Sequence, residues 1–274
     1  QAGTWPVQKR LAERGTATPP VVINAEGRQG QPEIRELAKE ALLKFGSTLP
    51  KAGTFTRNQE ADDLLHANPF AFLMAASLDR GARAETVWEI PWQLGRELGG
   101  LDPGSLGIMT PDQLEQILRR LPRKPRFPNQ AAKTIVSLAK MVSQQFGGDA
   151  KHVWKDKPVA SLLESLQRTH GVGPGIAAMT VRILIDEEQY HPRKEQYRQI
   201  DIKPDVQVTK VFYRAGLSDR RDKDSCVEAA RTLHPEFPAE LDWPAWEIGR
   251  KYCRESSPNC PECPLVDVCT KVGI

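Results

Sequence analysis

The last 22 residues of the chain contain four of its five cysteines: Cys253, Cys260, Cys263 and Cys269. Their spacing is C-x6-C-x2-C-x5-C, so all four thiols fall within 17 residues of one another. The preceding 252 residues contain one further cysteine, Cys226. The terminal loop has few apolar residues, and a segment without a hydrophobic core needs another source of stability.

Three explanations account for such a cluster of cysteines. Disulfides are disfavoured, because the rest of the chain has almost no cysteine. Structural zinc usually appears with two short Cys-x2-Cys knuckles, and here Cys260 and Cys263 form the one such pair. A 4Fe-4S cluster takes four thiolates from one compact loop, and the spacing suits it. The spacing therefore favours the iron-sulfur cluster over zinc and coincidence, both of which it leaves open.

Composition sets wider limits on the chain. Its 274 residues, 39% of them hydrophobic, suffice for one large domain or two modest ones. No apolar run reaches the length of a membrane span, so we expect a soluble protein. The 38 basic and 35 acidic residues give a net charge of +3, which indicates a nucleic-acid partner only weakly. Reduced thiols indicate an intracellular compartment.

Helical periodicity runs through the chain and predicts an all-α fold. Asn68-Pro69 is typical of a helix start, and residues 70–78 are apolar nearly all round, so this helix should be the buried centre of a bundle. Thr110-Pro111-Asp112-Gln113 predicts a capping box for a helix to Arg120. Further helices are predicted at 32–45, 88–98, 133–146, 159–167, 176–184 and 222–233.

The cysteine spacing and the run WEIGRKYC at 246–253 that leads into it resemble the cluster loop of endonuclease III-like proteins. These belong to the helix-hairpin-helix DNA glycosylase superfamily. The resemblance implies two helical domains that flank a DNA-binding cleft, a helix-hairpin-helix motif, and a 4Fe-4S cluster bound by the four terminal cysteines. It further implies double-stranded DNA as the partner and base excision repair as the function.

Residues 170–175, His-Gly-Val-Gly-Pro-Gly, lie between two predicted helices and are named the glycine hairpin below. Glycine lets the backbone approach closely, so that amide N–H groups and a helix N-terminus can hold a phosphate. On its own, Gly-x-Gly is more often a tight connection. The resemblance implies that Gly171, Val172, Gly173 and Gly175 contact DNA.

The segment 203–212 resembles the catalytic segment of the superfamily, in which an aspartate opens the helix after the hairpin. The matching residue is Asp205, which out of context would be interpreted as an ordinary helix N-cap. The resemblance implies that its carboxylate stabilises positive charge on a sugar as the base leaves. The histidine usual two positions later is Gln207 here, a change that alters the local hydrogen bonding.

The stretch 119–133, named the basic turn, carries six cations and no acid: Arg119, Arg120, Arg123, Lys124, Arg126 and Lys133. It is interpreted either as a solvated loop or as a phosphate-contacting turn. Phe127-Pro128-Asn129 interrupts the charge and resembles the wedge loop of the superfamily. The resemblance implies that Phe127 enters the base stack while Arg126 and Asn129 contact DNA.

Residues 79–83, Asp-Arg-Gly-Ala-Arg, resemble the superfamily segment that faces the base pocket and the minor groove. The resemblance implies DNA contacts by Arg80 and Arg83. The usual glutamine is replaced by Gly81, so the sequence does not predict which base is removed.

Bifunctional members of the superfamily carry a nucleophilic lysine two residues after the Gly-Val-Gly. Gly175 occupies that position and has no amine, so we predict a monofunctional glycosylase without AP lyase activity. Two alternatives stay open: a non-catalytic DNA-binding protein of the same fold, and a lyase that uses another lysine such as Lys203 or Lys210.

The predicted domain organisation has four parts. Residues 1–30 form an N-terminal arm, and residues 61–184 form a central helical domain with the glycine hairpin. Residues 31–60 and 203–274 together form an iron-sulfur domain, and 185–202 form a charged insertion. The cleft, with Asp205, is expected between the two domains of a cytoplasmic (in bacteria, nucleoid-associated) monomer.

Overall fold

The computed structural model describes residues 32–50 and 54–274, and helices dominate that range. These residues contain thirteen α-helices, four short 3-10 helices and no strand, which confirms the all-α fold class. The predicted N-terminal arm lies outside the described residues. The α-helices are α1 (Pro32–Gly46), α2 (Gln59–Ala67), α3 (Pro69–Ser77), α4 (Ala84–Trp88), α5 (Ile90–Leu98), α6 (Pro103–Ile108), α7 (Pro111–Arg120), α8 (Pro128–Gln145), α9 (Val159–Gln167), α10 (Pro174–Asp186), α11 (Val206–Arg214), α12 (Lys223–Leu233) and α13 (Asp242–Lys251). The 3-10 helices are Ala150–Val153, Lys194–Gln199, Pro238–Leu241 and Cys260–Glu262. None of the helices in this range combines the length and the apolarity that crossing a membrane requires.

Helix α3 is the centre of the first of two hydrophobic clusters. Every residue from Phe70 to Ser77 is buried, as the apolar sequence predicts. The Asn68 side chain accepts hydrogen bonds from the amides of Phe70 (3.0 Å) and Ala71 (3.1 Å), which confirms the predicted cap. Helices α2, α5, α8 and α10 pack around α3. Burying a side chain such as Phe72 contributes roughly 1.5–3 kcal/mol, so this helix anchors the bundle.

Local signals fix the boundaries of the neighbouring helices. The capping box is confirmed: the Gln113 amide donates to Thr110 Oγ1 (3.2 Å) and the Thr110 amide donates to Gln113 Oε1 (2.9 Å). The helix predicted for 88–98 is observed as α5, which ends at Leu98 as predicted but begins at Ile90, because Trp88 ends the separate helix α4. Pro91 lies in the first turn of α5, where its missing N–H is tolerated, whereas it would break a continuous helix.

Helix α10 is not buried evenly along its length. Thr180 and Ile183 are buried, but Ile176 and Met179 are only half-buried. Ile176 forms part of the wall of a cleft, and Met179 Sδ lies 3.3 Å from the Lys203 ammonium.

The second hydrophobic cluster joins α1 to the C-terminal helices α11, α12 and α13. Its fully buried residues include Leu42, Phe212, Cys226 and Leu241. Burial raises the pKa of the Cys226 thiol well above its ordinary value, which disfavours the reactive thiolate. Helix α1, from the start of the described residues, thus packs with residues that follow Lys203 in the chain.

Residues 185–202, predicted as a charged insertion, pack against the first cluster through Tyr190 and Ile200. The Tyr190 hydroxyl donates to the Lys157 carbonyl (2.7 Å), and burial raises the pKa of Tyr190 to about 12. Phe55 also packs against the first cluster. The boundaries proposed for the four domains stay predictions.

Candidate active site

A cleft of about 1790 Å³ is lined by residues from both sides of the molecule. One wall is formed by the turn between α3 and α4 and by the N-terminus of α10; the other is formed by residues 201–207, α12 and α13. Six predicted site residues line it: Arg80, Arg83, Arg126, Gly173, Gly175 and Asp205. The fold therefore brings residues from four separate segments to one opening.

Asp205 stands at the N-cap of α11 and also lines the cleft. Its Oδ1 accepts hydrogen bonds from the amides of Gln207 (2.8 Å) and Val208 (3.0 Å). Both bonds fall on one oxygen, so they fix the carboxylate while Oδ2 accepts none from the described residues. The cap and the predicted catalytic role are compatible in this geometry.

Gly175 lies against the stem of Lys203. A Cβ added at Gly175 would come within 3.3 Å of Pro204 Cδ and 3.5 Å of Lys203 Cγ. The Lys203 ammonium is bound by Asp79: it donates to the Asp79 carbonyl (3.0 Å) and pairs with Asp79 Oδ2 (3.1 Å). The side chains of this pair are only 16% and 14% exposed, for Lys203 and Asp79 respectively. Lys203, which lies beside the Gly175 position where bifunctional members of the superfamily carry their lysine, is thus held by the Asp79 carboxylate.

The glycine hairpin is tied to the first wall by Arg80. Its guanidinium donates to the Gly171 carbonyl and to Thr134 Oγ1 (2.6 Å) in α8. Burial lowers the pKa of Arg80. Gly171 has φ +75°, a backbone conformation that favours glycine, and the tip of the Arg80 side chain would have to move to make room for a Cβ there. Arg80 therefore shapes the hairpin, a role that the sequence did not predict.

The remaining hairpin residues differ in what they present. The side chain of Val172 is buried, so only its backbone is available to a ligand. Gly173 caps α10 and has open space around its Cβ position. The N-terminus of α10 therefore lies open at the cleft, as an anion site requires.

The basic turn is less positive than its sequence indicates. Arg119 bonds Glu115 (2.9 Å) and Arg123 pairs with Glu89 (3.0 Å). Asn129, predicted to contact DNA, already donates its side-chain amide to Glu115 (3.0 Å). Glu115 of α7 and Glu89 at the start of α5 thus neutralise part of the positive charge of the basic turn, which itself contains no acidic residue.

Phe127 is 53% exposed at the start of α8, as expected for a wedge. The Arg126 guanidinium lies 5.3 Å from the centre of its ring. A Cβ added at Gly81 would lie 3.3 Å from Phe127 Cε2. The apolar tip therefore sits directly beside the turn that lines the cleft, and Arg83 of that turn is exposed.

Sequence reasoning missed an ion pair across the cleft. Arg250 of α13 pairs with Glu85 of α4, and its guanidinium stacks over Trp246 at 4.3 Å. Both charged residues line the cleft. They lie 165 positions apart in sequence, and no local pattern connects them.

Close packing of α11 on α13 explains the glycine in the run 246–253. A Cβ added at Gly249 would come within 2.7 Å of Gln207 Cβ and 3.0 Å of its carbonyl oxygen. Buried Lys210 donates to Gln207 Oε1 (2.7 Å) and to the Gly249 carbonyl (3.2 Å), and burial lowers its pKa. Lys210 is therefore committed to joining these helices.

The four terminal cysteines share one region beside the second cluster. No three His, Cys, Asp or Glu side chains within 32–50 and 54–274 form a ready metal-binding group. The thiols nevertheless interact: burial, and then the charges of Cys263, Cys253 and Cys260, raise the pKa of Cys269 to about 11. A bound cation would relieve this repulsion, and four thiolates are the donors an iron-sulfur cluster takes. The four cysteines therefore match an iron-sulfur cluster in donor type.

Arg214 joins α11 to the cysteine loop. Its guanidinium lies 3.7 Å from Cys253 Sγ and donates to the carbonyls of Arg254 (2.7 Å) and Glu255 (3.1 Å). Cys269 Sγ contacts the Arg214 carbonyl at 3.3 Å. The helix that begins at Asp205 thus ends against the thiols.

An all-helical fold, a glycine hairpin and an aspartate-capped helix on the same cleft define the class of helix-hairpin-helix proteins. No family model matches the chain. It is 26% identical to endonuclease III of Bacillus subtilis over 226 residues (81% of this chain, 89% of that protein), and 24% identical to thymine-DNA glycosylase of Aeropyrum pernix (74% and 82%). A trapped endonuclease III–DNA covalent intermediate matches with TM-score 0.61 at 20% identity (86% of this chain, 95% of that chain). A thermostable thymine-DNA glycosylase matches with TM-score 0.58 at 16% identity (86% and 95%). The chain is thus similar in sequence and in fold to members of the helix-hairpin-helix DNA glycosylase superfamily.

Proposed function

We propose that this protein is a DNA glycosylase of base excision repair, which flips a damaged or mismatched base and hydrolyses its N-glycosidic bond. The observation that carries the proposal is the position of Asp205: it lines the cleft on a rigid helix N-terminus, with the open end of α10 on the opposite wall. The names of the curated relatives, endonuclease III and thymine-DNA glycosylase, support the same reaction class.

The proposed chemistry requires a carboxylate near C1′ of the flipped nucleotide. Positive charge develops on the sugar as the base leaves, and Asp205 stabilises it and orients the attacking water. At ~4 Å and an effective dielectric of about 20, the attraction is roughly 4 kcal/mol, or about a thousandfold in rate. The two amide bonds to Oδ1 supply the fixed placement that this role needs.

DNA is bound in this proposal by three parts of the first wall. The open amides at Gly173 and the start of α10 hold a phosphate. Arg83 and Arg126 line the cleft and attract the backbone. Phe127 fills the gap that the flipped base leaves, which offsets part of the few kcal/mol that extrusion costs.

We further propose that the enzyme is monofunctional. Gly175 supplies no amine, and the ammonium of the nearby Lys203 is held by the Asp79 carboxylate and carbonyl, away from the role of a free nucleophile. Lys210 is buried, and its ammonium donates hydrogen bonds to the Gln207 side chain and the Gly249 carbonyl. The product is therefore an intact strand with an abasic site.

The four terminal cysteines are proposed as ligands of a 4Fe-4S cluster. The cluster would close the loop from Cys253 to Cys269 and hold it against Arg214. Its contribution is structural, because the loop has little core of its own.

A panel of duplexes, each with one lesion or mismatch, tests the proposal. We expect one or a few of the duplexes to acquire abasic sites, at which alkali cleaves the strand. Without alkali, the same strand should stay intact. Borohydride is expected to trap no efficient covalent adduct. Tight DNA binding without excision from any duplex would instead indicate the non-catalytic DNA-binding alternative.

A further inference from the structure

Asp242 forms a link to the catalytic segment from a different helix. It is the first residue of α13, and its Oδ2 accepts the backbone N–H of Lys203. Lys203 lies two residues before Asp205 and joins it through Pro204, while the Asp205 amide itself donates to the Lys203 carbonyl (2.7 Å). The peptide that Asp242 holds is thus one short step from the proposed catalytic carboxylate.

The Asp242 carboxylate is enclosed by protein, although the residue as a whole keeps some exposed surface. The charged or titratable groups that face it are Asp205 of the α11 N-cap, Lys203 of the linking segment, Arg182 of α10 and the Cys226 thiol of α12. Arg182 is already occupied, because it bonds Asp186 (2.9 Å) and the Ala239 carbonyl (2.9 Å). Among residues 32–50 and 54–274, the hydrogen bond observed to the Asp242 side chain comes from the amide of Lys203.

Burial, with a smaller contribution from Asp205, raises the pKa of Asp242 to about 7. The bond to the Lys203 amide works in the opposite direction. Asp242 therefore changes charge near neutral pH, while it is bonded to the segment that carries Asp205.

We propose that Asp242 is a positioning residue for Asp205, and that base excision is fastest when Asp242 is ionised. An ionised carboxylate accepts the Lys203 amide more strongly than a neutral acid, which holds the 203–205 segment in place. Its negative charge also adds to the field that favours positive charge on the sugar. This inference rests on the proposed function of Asp205.

The test is the pH profile of excision in single turnover with saturating enzyme, from pH 5.5 to 8.5. For the wild-type protein we expect the rate to rise about three- to tenfold through neutrality and then level off. Asp242→Asn keeps an oxygen acceptor for the Lys203 amide but cannot ionise, so its profile should be flat near the wild-type acid limit.

Asp62→Asn is the matched control. Asp62 of α2 is also a buried aspartate that accepts a backbone amide, that of Thr56 at 2.8 Å, but it is not among the residues that line the cleft. We expect this variant to lose stability and to keep the wild-type pH dependence.

Each outcome decides the question. A wild-type profile that is flat from pH 6 to 8 overturns the inference, even where Asp242→Asn fails to fold. A wild-type step that persists unchanged in Asp242→Asn overturns it as well. Absence of excision from every duplex removes the proposed function and this inference together, whereas excision with a flat profile removes the inference alone.

Discussion

Replacing Gly175 by lysine should convert the enzyme into one that forms a covalent intermediate. The change places an amine on α10 next to Lys203 and opposite Asp205, at the position where bifunctional members of the superfamily carry theirs. We expect Gly175→Lys to yield a borohydride-trapped adduct with abasic DNA at a level at least about tenfold above wild type.

The magnitudes favour a folded and reactive variant. Lysine in place of glycine in a helix gains roughly 0.7–1 kcal/mol of propensity. The new Cβ meets Pro204 Cδ at 3.3 Å, which a shift of a few tenths of an ångström relieves. Two ammonium groups ~5 Å apart repel by about 3 kcal/mol at an effective dielectric of 20, and this repulsion increases the neutral, nucleophilic fraction of the new amine.

The assay is gel analysis of a labelled abasic duplex after incubation with enzyme and borohydride. Gly104→Lys is the matched control, because α6 also begins with Pro-Gly and its Gly104 is exposed away from the cleft. If Gly175→Lys folds, still excises a base and forms no adduct above the Gly104→Lys background, Gly175 does not face the reacting sugar and the assignment of this site is wrong.

Three further outcomes are expected. Cys260→Ser should lose the iron content and the visible absorption of the purified protein, whereas Cys226→Ser should keep both; equal iron in the two variants would contradict the ligand assignment. Phe127→Ala should slow excision from a fully paired duplex by about tenfold or more, with less effect on an unpaired target base and none on the melting temperature, and equal slowing on both substrates would remove the wedge role. The pKa of Asp242 is raised in the fold, so its contribution to stability is complete below about pH 4 and is lost as the pH rises through 7. Between pH 4 and pH 8, the free energy of unfolding of Asp242→Asn, measured with denaturant, should therefore increase by about 2–4 kcal/mol relative to that of wild type. A difference that stays constant with pH would contradict the raised pKa of Asp242.

Local sequence signals predicted the parts of the fold that local chemistry decides. The Asn68 cap, the apolar run of α3 and the capping box at Thr110 each depend on residues within one or two helical turns. The same kind of signal placed Asp205 at a helix start. The break at Glu89 was missed because the helical periodicity continues through it, and Pro91 was the available clue.

Contacts between distant segments were beyond the reach of the sequence. The basic turn looked uncompensated, because Glu89 lies 34 positions before its partner Arg123. Nothing in the sequence connects Arg80 to the Gly171 carbonyl, 91 positions away. The pairing of Lys203 with Asp79 spans 124 positions, although it bears directly on whether a lysine can act as nucleophile. These contacts depend on tertiary packing between distant helices, which periodicity does not specify.

A comparison of Asp205→Asn with Asp222→Asn in single-turnover excision tests most directly whether Asp205 is the catalytic carboxylate. Both residues are helix N-caps on adjacent helices of the second cluster, and asparagine preserves a cap in each. We expect Asp205→Asn to bind DNA as tightly as wild type and to lose excision by about a thousandfold, while Asp222→Asn excises normally. Excision by Asp205→Asn within about threefold of wild type would show that its carboxylate is a cap and nothing more.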